Sequence, residues 1–177
     1  MKRKRVFVFA CFCVIAIILF VFFNFFVSNK KYSNFVLKYA KEYKLDSSLV
    51  YAIIKTESNF DKKAISKSGA LGLMQIIPST AKWIAEELKE EYSKDNMFDA
   101  ETNIRYGCYY LSYLFERFKK MDIVVCAYNA GETVVNRWLD DTGDLDRGKI
   151  DYSETKNYLT KVESYYKVYE SSNISIW

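Results

Sequence analysis

Helical periodicity of the apolar side chains dominates residues 34 to 169, which hold a single proline, Pro78. That limits the chain to a mainly α-helical fold, because three- and four-residue spacing builds a buried helix stripe whereas a strand needs strict alternation. Asn34 to Tyr43 reads as a short first helix, and Ser48 to Glu57 as a buried second one opened by the capping run Asp46-Ser47-Ser48. Pro78-Ser79-Thr80 starts a third, with Ala81, Ile84, Ala85 and Leu88 on one face. Asp99 caps a long fourth, with Ile104, Leu111, Phe115 and Phe118 expected inward. Asp122 to Ala130 and Glu132 to Leu139 read as shorter helices parted by Gly131. Ser153 to Tyr169 closes the series with Tyr158, Val162, Tyr165 and Tyr169 on one stripe. This length suits one domain with a single core.

One position breaks the apolar pattern. Counting back from Glu57 by three, four and seven residues gives Ile54, Ile53 and Val50, so a carboxyl group lies on a stripe that should be buried. Lost hydration penalises the charged form and raises the pKa, which keeps a glutamic acid protonated near neutral pH. A plainer reading is that Glu57 ends the stripe with its head in water, paired with Lys55 or Lys62.

Composition narrows the chemistry. The chain has no histidine, which removes Ser-His and Cys-His nucleophile systems and the commonest metal ligand. Of four cysteines, Cys11 and Cys13 lie in an N-terminal apolar run, leaving only Cys108 and Cys126, too few for a structural zinc site. Six scattered glycines form no phosphate-cradling loop. No cofactor or metal is expected, and acid-base work falls to Glu, Asp, Tyr or Lys. Beyond the first five residues, 22 basic side chains balance 22 acidic ones, without the surplus a nucleic-acid binder would show.

The N-terminus predicts location. Lys2, Arg3, Lys4 and Arg5 precede an apolar run continued to Val27, and residues 6 to 27 as a helix would extend about 33 Å, enough to cross a hydrocarbon core. Basic residues stay cytoplasmic, so the remainder is expected to face outward from the membrane. The competing reading is a signal peptide cleaved on secretion, but no small-x-small site precedes Ser28-Asn29-Lys30-Lys31. The expected organisation is a cytoplasmic segment 1–5, a transmembrane anchor 6–27, a linker 28–33, a folded domain 34–170 and a tail 171–177.

Two further clusters accompany Glu57. Ser68-Gly69-Ala70-Leu71-Gly72-Leu73-Met74-Gln75-Ile76-Ile77-Pro78 reads as a loop or short β-hairpin whose glycines permit tight turns. As a groove wall, it would use Gly72 for close approach of backbone to a ligand, Met74 for apolar contact and Gln75 as donor and acceptor. As a plain turn, it would place Met74 in the core and Gln75 in solvent. In Ala127-Tyr128-Asn129-Ala130-Gly131, Tyr128 could hold a carboxylate and Asn129 an amide. Tyr106, Tyr109, Tyr110 and Tyr113 crowd the long helix, for packing or, in one or two cases, sugar stacking.

The order of these clusters, completed by Asn103-Ile104, Gly107, Tyr110-Leu111 and Glu154-Thr155-Lys156-Asn157-Tyr158, resembles the lytic transglycosylase domain of the soluble (SLT) type over roughly residues 34 to 165. The resemblance implies a lysozyme-like helical domain with a saccharide groove, similar more distantly to goose-type lysozymes. It implies Glu57 as catalytic acid and base, with Ser58 beside the cleaved bond, and Met74 and Gln75 lining the groove. Tyr128 would contact the catalytic carboxylate, Asn129 would face the sugar, and Glu154 and Tyr158 would support the site. The implied substrate is the β-1,4-linked glycan of peptidoglycan, cut between N-acetylmuramic acid and N-acetylglucosamine to leave a 1,6-anhydromuramoyl end. No second carboxylate is obvious in the motifs beside Glu57; for a hydrolytic, lysozyme-like alternative, Asp61, Asp99 and Glu132 are the candidates. The other alternative is a peptidoglycan-binding envelope protein without catalysis. Ile150-Asp151-Tyr152-Ser153 lacks the proline that often precedes the family's last motif. Cys108 and Cys126 match core-facing positions, which favours buried thiols over a disulfide.

Overall fold

The computed structural model describes residue 15 and residues 32–172. The cytoplasmic segment, the anchor and most of the linker expected at the N-terminus, and residues 173–177 of the tail, lie outside the described residues. Among the described residues, no helix is long and apolar enough to cross a membrane. The chain divides into two compact units, Met1–Ser33 and Asn34–Trp177.

The larger unit is helical: α1 (Ser33–Glu42), α2 (Ser47–Ser58), α3 (Pro78–Glu87), α4 (Ala100–Phe118), α5 (Met121–Ala130), the single turn α6 (Glu132–Val135) and α7 (Ser153–Ser171). Short 3-10 turns cover Asp95–Phe98 and Asn136–Trp138, so the expected helix from Glu132 to Leu139 is one α-turn followed by a 3-10 turn. No named strand occurs among the described residues; isolated antiparallel bridges join Ile65 to Leu71 and Leu71 to Ile76. The glycine-rich segment is thus a turn-rich loop.

Helix α2 forms the centre. Asp46 starts it by accepting a 2.7 Å bond from the Ser48 amide, and Asn59 ends it in the left-handed region at φ 51°. Between those ends, Ser47 to Ile54 is buried on every side, as a helix surrounded by others must be. Helix α7 packs along α2 more extensively than any other pair of elements, and Tyr51 and Tyr169 stack at 5.4 Å. Helix α5 lies against both α4 and α7.

On α4, Ile104 and Leu111 face inward as the spacing predicts, but the next inward position is Leu114; Phe115 and Phe118 stay partly exposed. From Leu111, steps of three and four residues lead to Leu114 and Phe115, and packing chose the former. On α3, Ala81, Ile84 and Ala85 are buried while Leu88, at the C-cap, is partly exposed. Cys108 and Cys126 are free thiols buried on α4 and α5. Tyr152, extended before α7, offers no side-chain cap; instead the Trp138 indole donates to Asp151 at 2.9 Å and holds the entry to that helix where the family often has proline.

Candidate active site

Glu57 occupies the last turn of α2, where the helix emerges from the core. A cavity of about 330 Å³ opens beside it, walled by the loop (Ser66, Gln75), by Tyr110 of α4, and by Tyr128 and Asn129 of α5. A second cavity of about 310 Å³ also reaches it, with Thr56, Asn157 and Lys161 in its wall. Glu57, Asn129 and Glu154 line both, so open space flanks the carboxyl group.

The Tyr158 hydroxyl, projecting from α7, donates a 2.7 Å bond to Glu57 Oε1. Burial pushes the Glu57 pKa up to about 7; the Tyr158 bond opposes that rise, and the negative charge of Glu154 adds to it. Tyr158 and Tyr128 are held far above the usual phenol pKa, first by burial and next by the charge of Glu57, so both remain neutral. A carboxyl group that titrates near pH 7, held on one oxygen and flanked by open space, can give up a proton and take it back.

Tyr128 was expected to hold the carboxylate, but its hydroxyl donates to the Met74 carbonyl at 2.8 Å, tying α5 to the loop, and Tyr158 takes the carboxylate instead. Met74 is wholly buried rather than groove-lining. Its thioether fills the space over Gly107, where any Cβ would collide with it. Gly72, at φ 76°, admits close approach not of a ligand but of Asn103 and the Met97 carbonyl. Ser58 spends its hydroxyl on the Leu73 and Ile54 carbonyls, at 2.8 and 3.2 Å, and is absent from both cavity walls. Gln75 does line the larger cavity, with its amide nitrogen bonded to the Gly72 and Ala64 carbonyls.

Asn129 lines both cavities, and Thr155 donates a 2.7 Å bond to its Oδ1, which turns the amide nitrogen as the group left for a ligand. Thr155 carries no signal by itself, being an ordinary helix threonine in sequence. Glu154, which the resemblance implies as a supporting residue, lines both cavities with Glu57 and puts a second carboxylate beside it that was not obvious from the sequence. Neither helical spacing nor proximity in sequence pointed to that pairing, since 97 residues part them. Asp99 caps α4, Asp61 accepts the Lys63 amide in the loop, and Glu132 pairs with Arg117 at 2.8 Å; none of the three lines either Glu57 cavity. Among the described residues, no group of three or more Cys, Asp or Glu is placed to hold a metal ion.

Comparison with known proteins follows the same residues. The Transglycosylase SLT domain model matches residues 34–150. The soluble lytic murein transglycosylase of Escherichia coli K12 is 34% identical over 142 residues, covering 76% of this chain and 22% of its own length. Membrane-bound lytic murein transglycosylase C of Pectobacterium atrosepticum is 32% identical over 166 residues, covering 78% of this chain and 46% of its own length. The chain therefore spans less than half of each of these relatives. Among solved structures, an inactive glutamate-to-glutamine mutant of lytic transglycosylase Slt from Pseudomonas aeruginosa superposes with a TM-score of 0.72 at 34% identity, covering 77% of this chain and 23% of that one. The 70 kDa soluble lytic transglycosylase of E. coli gives 0.71 at 31% identity, covering 80% and 24%.

Proposed function

Because this chain belongs to the Transglycosylase SLT domain family, we propose that it is a peptidoglycan lytic transglycosylase in which Glu57 serves first as acid and then as base. The observation that carries this reading is a half-buried carboxyl group with a pKa near 7, held by Tyr158 between two cavities. A glutamate-to-glutamine change inactivates the Pseudomonas relative, which supports an essential glutamate in a domain of this fold.

A proton near neutrality is the first requirement, and burial of Glu57 supplies it. Glu57 protonates the glycosidic oxygen between N-acetylmuramic acid and N-acetylglucosamine, and the C1–O bond breaks. The muramic acid's own acetamido group relieves the positive charge at C1, the substrate-assisted variant of glycoside cleavage. The carboxylate left on Glu57 is steadied by the Tyr158 O–H, a charge-assisted bond of 2.7 Å. It then accepts the proton of the C6 hydroxyl as that oxygen attacks C1. A 1,6-anhydro ring closes, the acid form of Glu57 returns, and no water is consumed. Asn129, whose Oδ1 accepts from Thr155, would bond an acetamido oxygen through its amide nitrogen. Gln75 and Glu154 contribute further polar contacts in the cavity.

One observation favours a second reading. Glu154 shares both cavities with Glu57, and a second carboxylate can activate water, which would give lysozyme-like hydrolysis. Mass spectrometry of muropeptides released from murein by the full chain separates the two. Anhydro ends are expected, with release abolished by Glu57→Gln; ends heavier by one water identify the hydrolase. Binding of murein without any release, equal in both proteins, leaves only a binding role.

The apolar run of residues 6 to 27 behind its basic cluster supports a membrane anchor with residues 34–170 as the extracytoplasmic catalytic domain.

A further inference from the structure

The loop that walls the Glu57 cavity turns its cations outward. Two β-turns follow α2: the Ala64 amide donates to the Asp61 carbonyl at 3.2 Å, and the Gly69 amide to the Ser66 carbonyl at 3.0 Å. Their tips carry Lys62, Lys63 and Lys67, all exposed. Side chains fix both turns, since Asp61 Oδ1 accepts from the Lys63 amide at 2.9 Å and Ser66 Oγ from the Ala70 amide at 3.0 Å. The Ala64 carbonyl accepts from the Gly72 amide at 2.9 Å and from the Gln75 side-chain nitrogen at 3.2 Å, which ties the first turn to the cavity wall. Ser66, Ser68 and Gln75 all line the cavity, so Lys67 stands at its rim and Lys62 and Lys63 lie in the turn before it.

Exposed lysines often serve solubility alone, but these differ from the rest of the molecule. Beyond the first five residues the chain balances 22 bases against 22 acids, whereas residues 58–77 hold three lysines and one aspartate, whose Oδ1 already serves the Lys63 amide. Lys38 and Lys120 pair with Glu101 and Asp144; among the described residues, no ion pair takes Lys62, Lys63 or Lys67. Within the cavity wall the charged residues are Glu57 and Glu154, both acidic. An anionic part of a ligand is therefore repelled from the interior and drawn to the loop. The sugar rings of peptidoglycan are neutral, and its negative charge lies on the lactyl-linked peptide stem of muramic acid.

We propose that the paired turns 61–64 and 66–69 dock the acidic peptide stem of the muramic acid whose bond is cleaved at Glu57, so that the chain favours strands with charged stems. The inference rests on the glycan-cleaving reading of the Glu57 cavity and adds stem charge as a selecting feature. Ile65, 63% exposed between the turns, offers the stem an apolar contact. A phosphate-rich polymer would meet the same lysines, but only the stem is fixed to a sugar in the cavity that this loop walls.

The experiment uses the full chain carrying Glu57→Gln, so that bound sugars stay intact, and isothermal titration with two tetrasaccharides of alternating N-acetylglucosamine and N-acetylmuramic acid. Both bear the same tripeptide stems, with carboxyl groups free in one and amidated in the other. At low salt the free-carboxyl probe is expected to bind about fivefold more tightly, the effect of three weak exposed ion pairs acting together. Lys62→Gln, Lys63→Gln and Lys67→Gln combined should abolish that preference. Lys41→Gln, Lys44→Gln and Lys167→Gln combined, at exposed positions outside both Glu57 cavity walls, should keep it. Equal affinity for the two probes, a preference that survives loss of the turn lysines, or no binding of either probe overturns the proposal. Binding of poly(glycerol phosphate) through the same lysines, with the two probes bound alike, also overturns it and gives the turns to a wall polymer. If the turn variant unfolds, salt decides: with the lysines in place, the preference should vanish at about 0.5 M, and a preference unchanged there overturns the proposal. The cleavage reading is judged separately, with Glu57 intact. Anhydro product formed alongside charge-independent binding removes the stem docking alone, and lysine-dependent binding without any cleavage removes the reaction alone.

Discussion

Glu57 sits under opposed influences, and their balance sets two measurable properties. Burial and the charge of Glu154 favour its protonated form, while the Tyr158 hydroxyl favours the carboxylate. With burial winning, the folded pKa is near 7 against an ordinary 4.5, so the folded protein keeps a proton that the unfolded chain releases. Stability contributed by this group is therefore whole at pH 4 and is lost as pH rises from 4.5 through about 7, a cost of about 3 kcal/mol by pH 8. Glu57→Gln, which cannot ionise, should thus match the wild type in urea unfolding at pH 4 and exceed it at pH 8. An equal difference at both values would show that Glu57 is not held protonated. Catalysis follows the same titration, since the acid form starts the reaction, and activity should fall as pH rises through about 7. Tyr158→Phe removes the bond that lowers the Glu57 pKa, so this alkaline limb should move to higher pH, with a lower maximal rate from the less steady carboxylate. A pH-rate profile that keeps its limb in place would break the assigned link between the two residues.

At the scale of elements, the loop after α2 is held by one buried amide. Asn103, 1% exposed on α4, accepts from the Met74 amide at 2.7 Å and donates to the Leu71 and Met97 carbonyls, each at 2.9 Å. Gly72 is glycine because a Cβ there would run into that amide and into the Met97 carbonyl. Asn103→Ala leaves the Met74 amide and the Met97 carbonyl without partners in the interior, the Leu71 carbonyl keeping its bond from the Ile76 amide, and should cost about 2–4 kcal/mol, read from chemical denaturation. A loss below about 0.5 kcal/mol would mean that water or loop movement satisfies them. The same contacts explain which loop expectations failed. Closely spaced glycines announce tight turns, but which atoms then come close is a tertiary matter: Gly72 meets Asn103, and Met74 enters the core over Gly107. Tyr128 belongs with this group, because its hydroxyl serves the Met74 carbonyl and so fixes the loop that walls the cavity.

Over the whole molecule, the site depends on joining distant parts of the chain. Helix α7 lies along α2 and brings Glu154, Thr155 and Tyr158 to a carboxyl group about a hundred positions earlier. The matched family region ends at residue 150, so these side chains come from beyond it. The N-terminal run makes a separate prediction, argued from hydropathy alone: the full chain should stay with membranes through an alkaline carbonate wash, and a fragment of residues 28–177 should not. Release of the full chain by the wash would count against the anchor. Sequence by itself determined the helical class, the capped and buried α2, and the misplaced carboxyl at its end, because periodicity and capping act over three or four neighbours and leave their mark locally. Only the tertiary structure decided which phenol holds Glu57, that Glu154 shares its cavities, and that Ser58 and Met74 serve the scaffold. Those pairings depend on how α7, α5 and the loop pack around α2, and no local spacing encodes the distance between side chains so far apart in the chain.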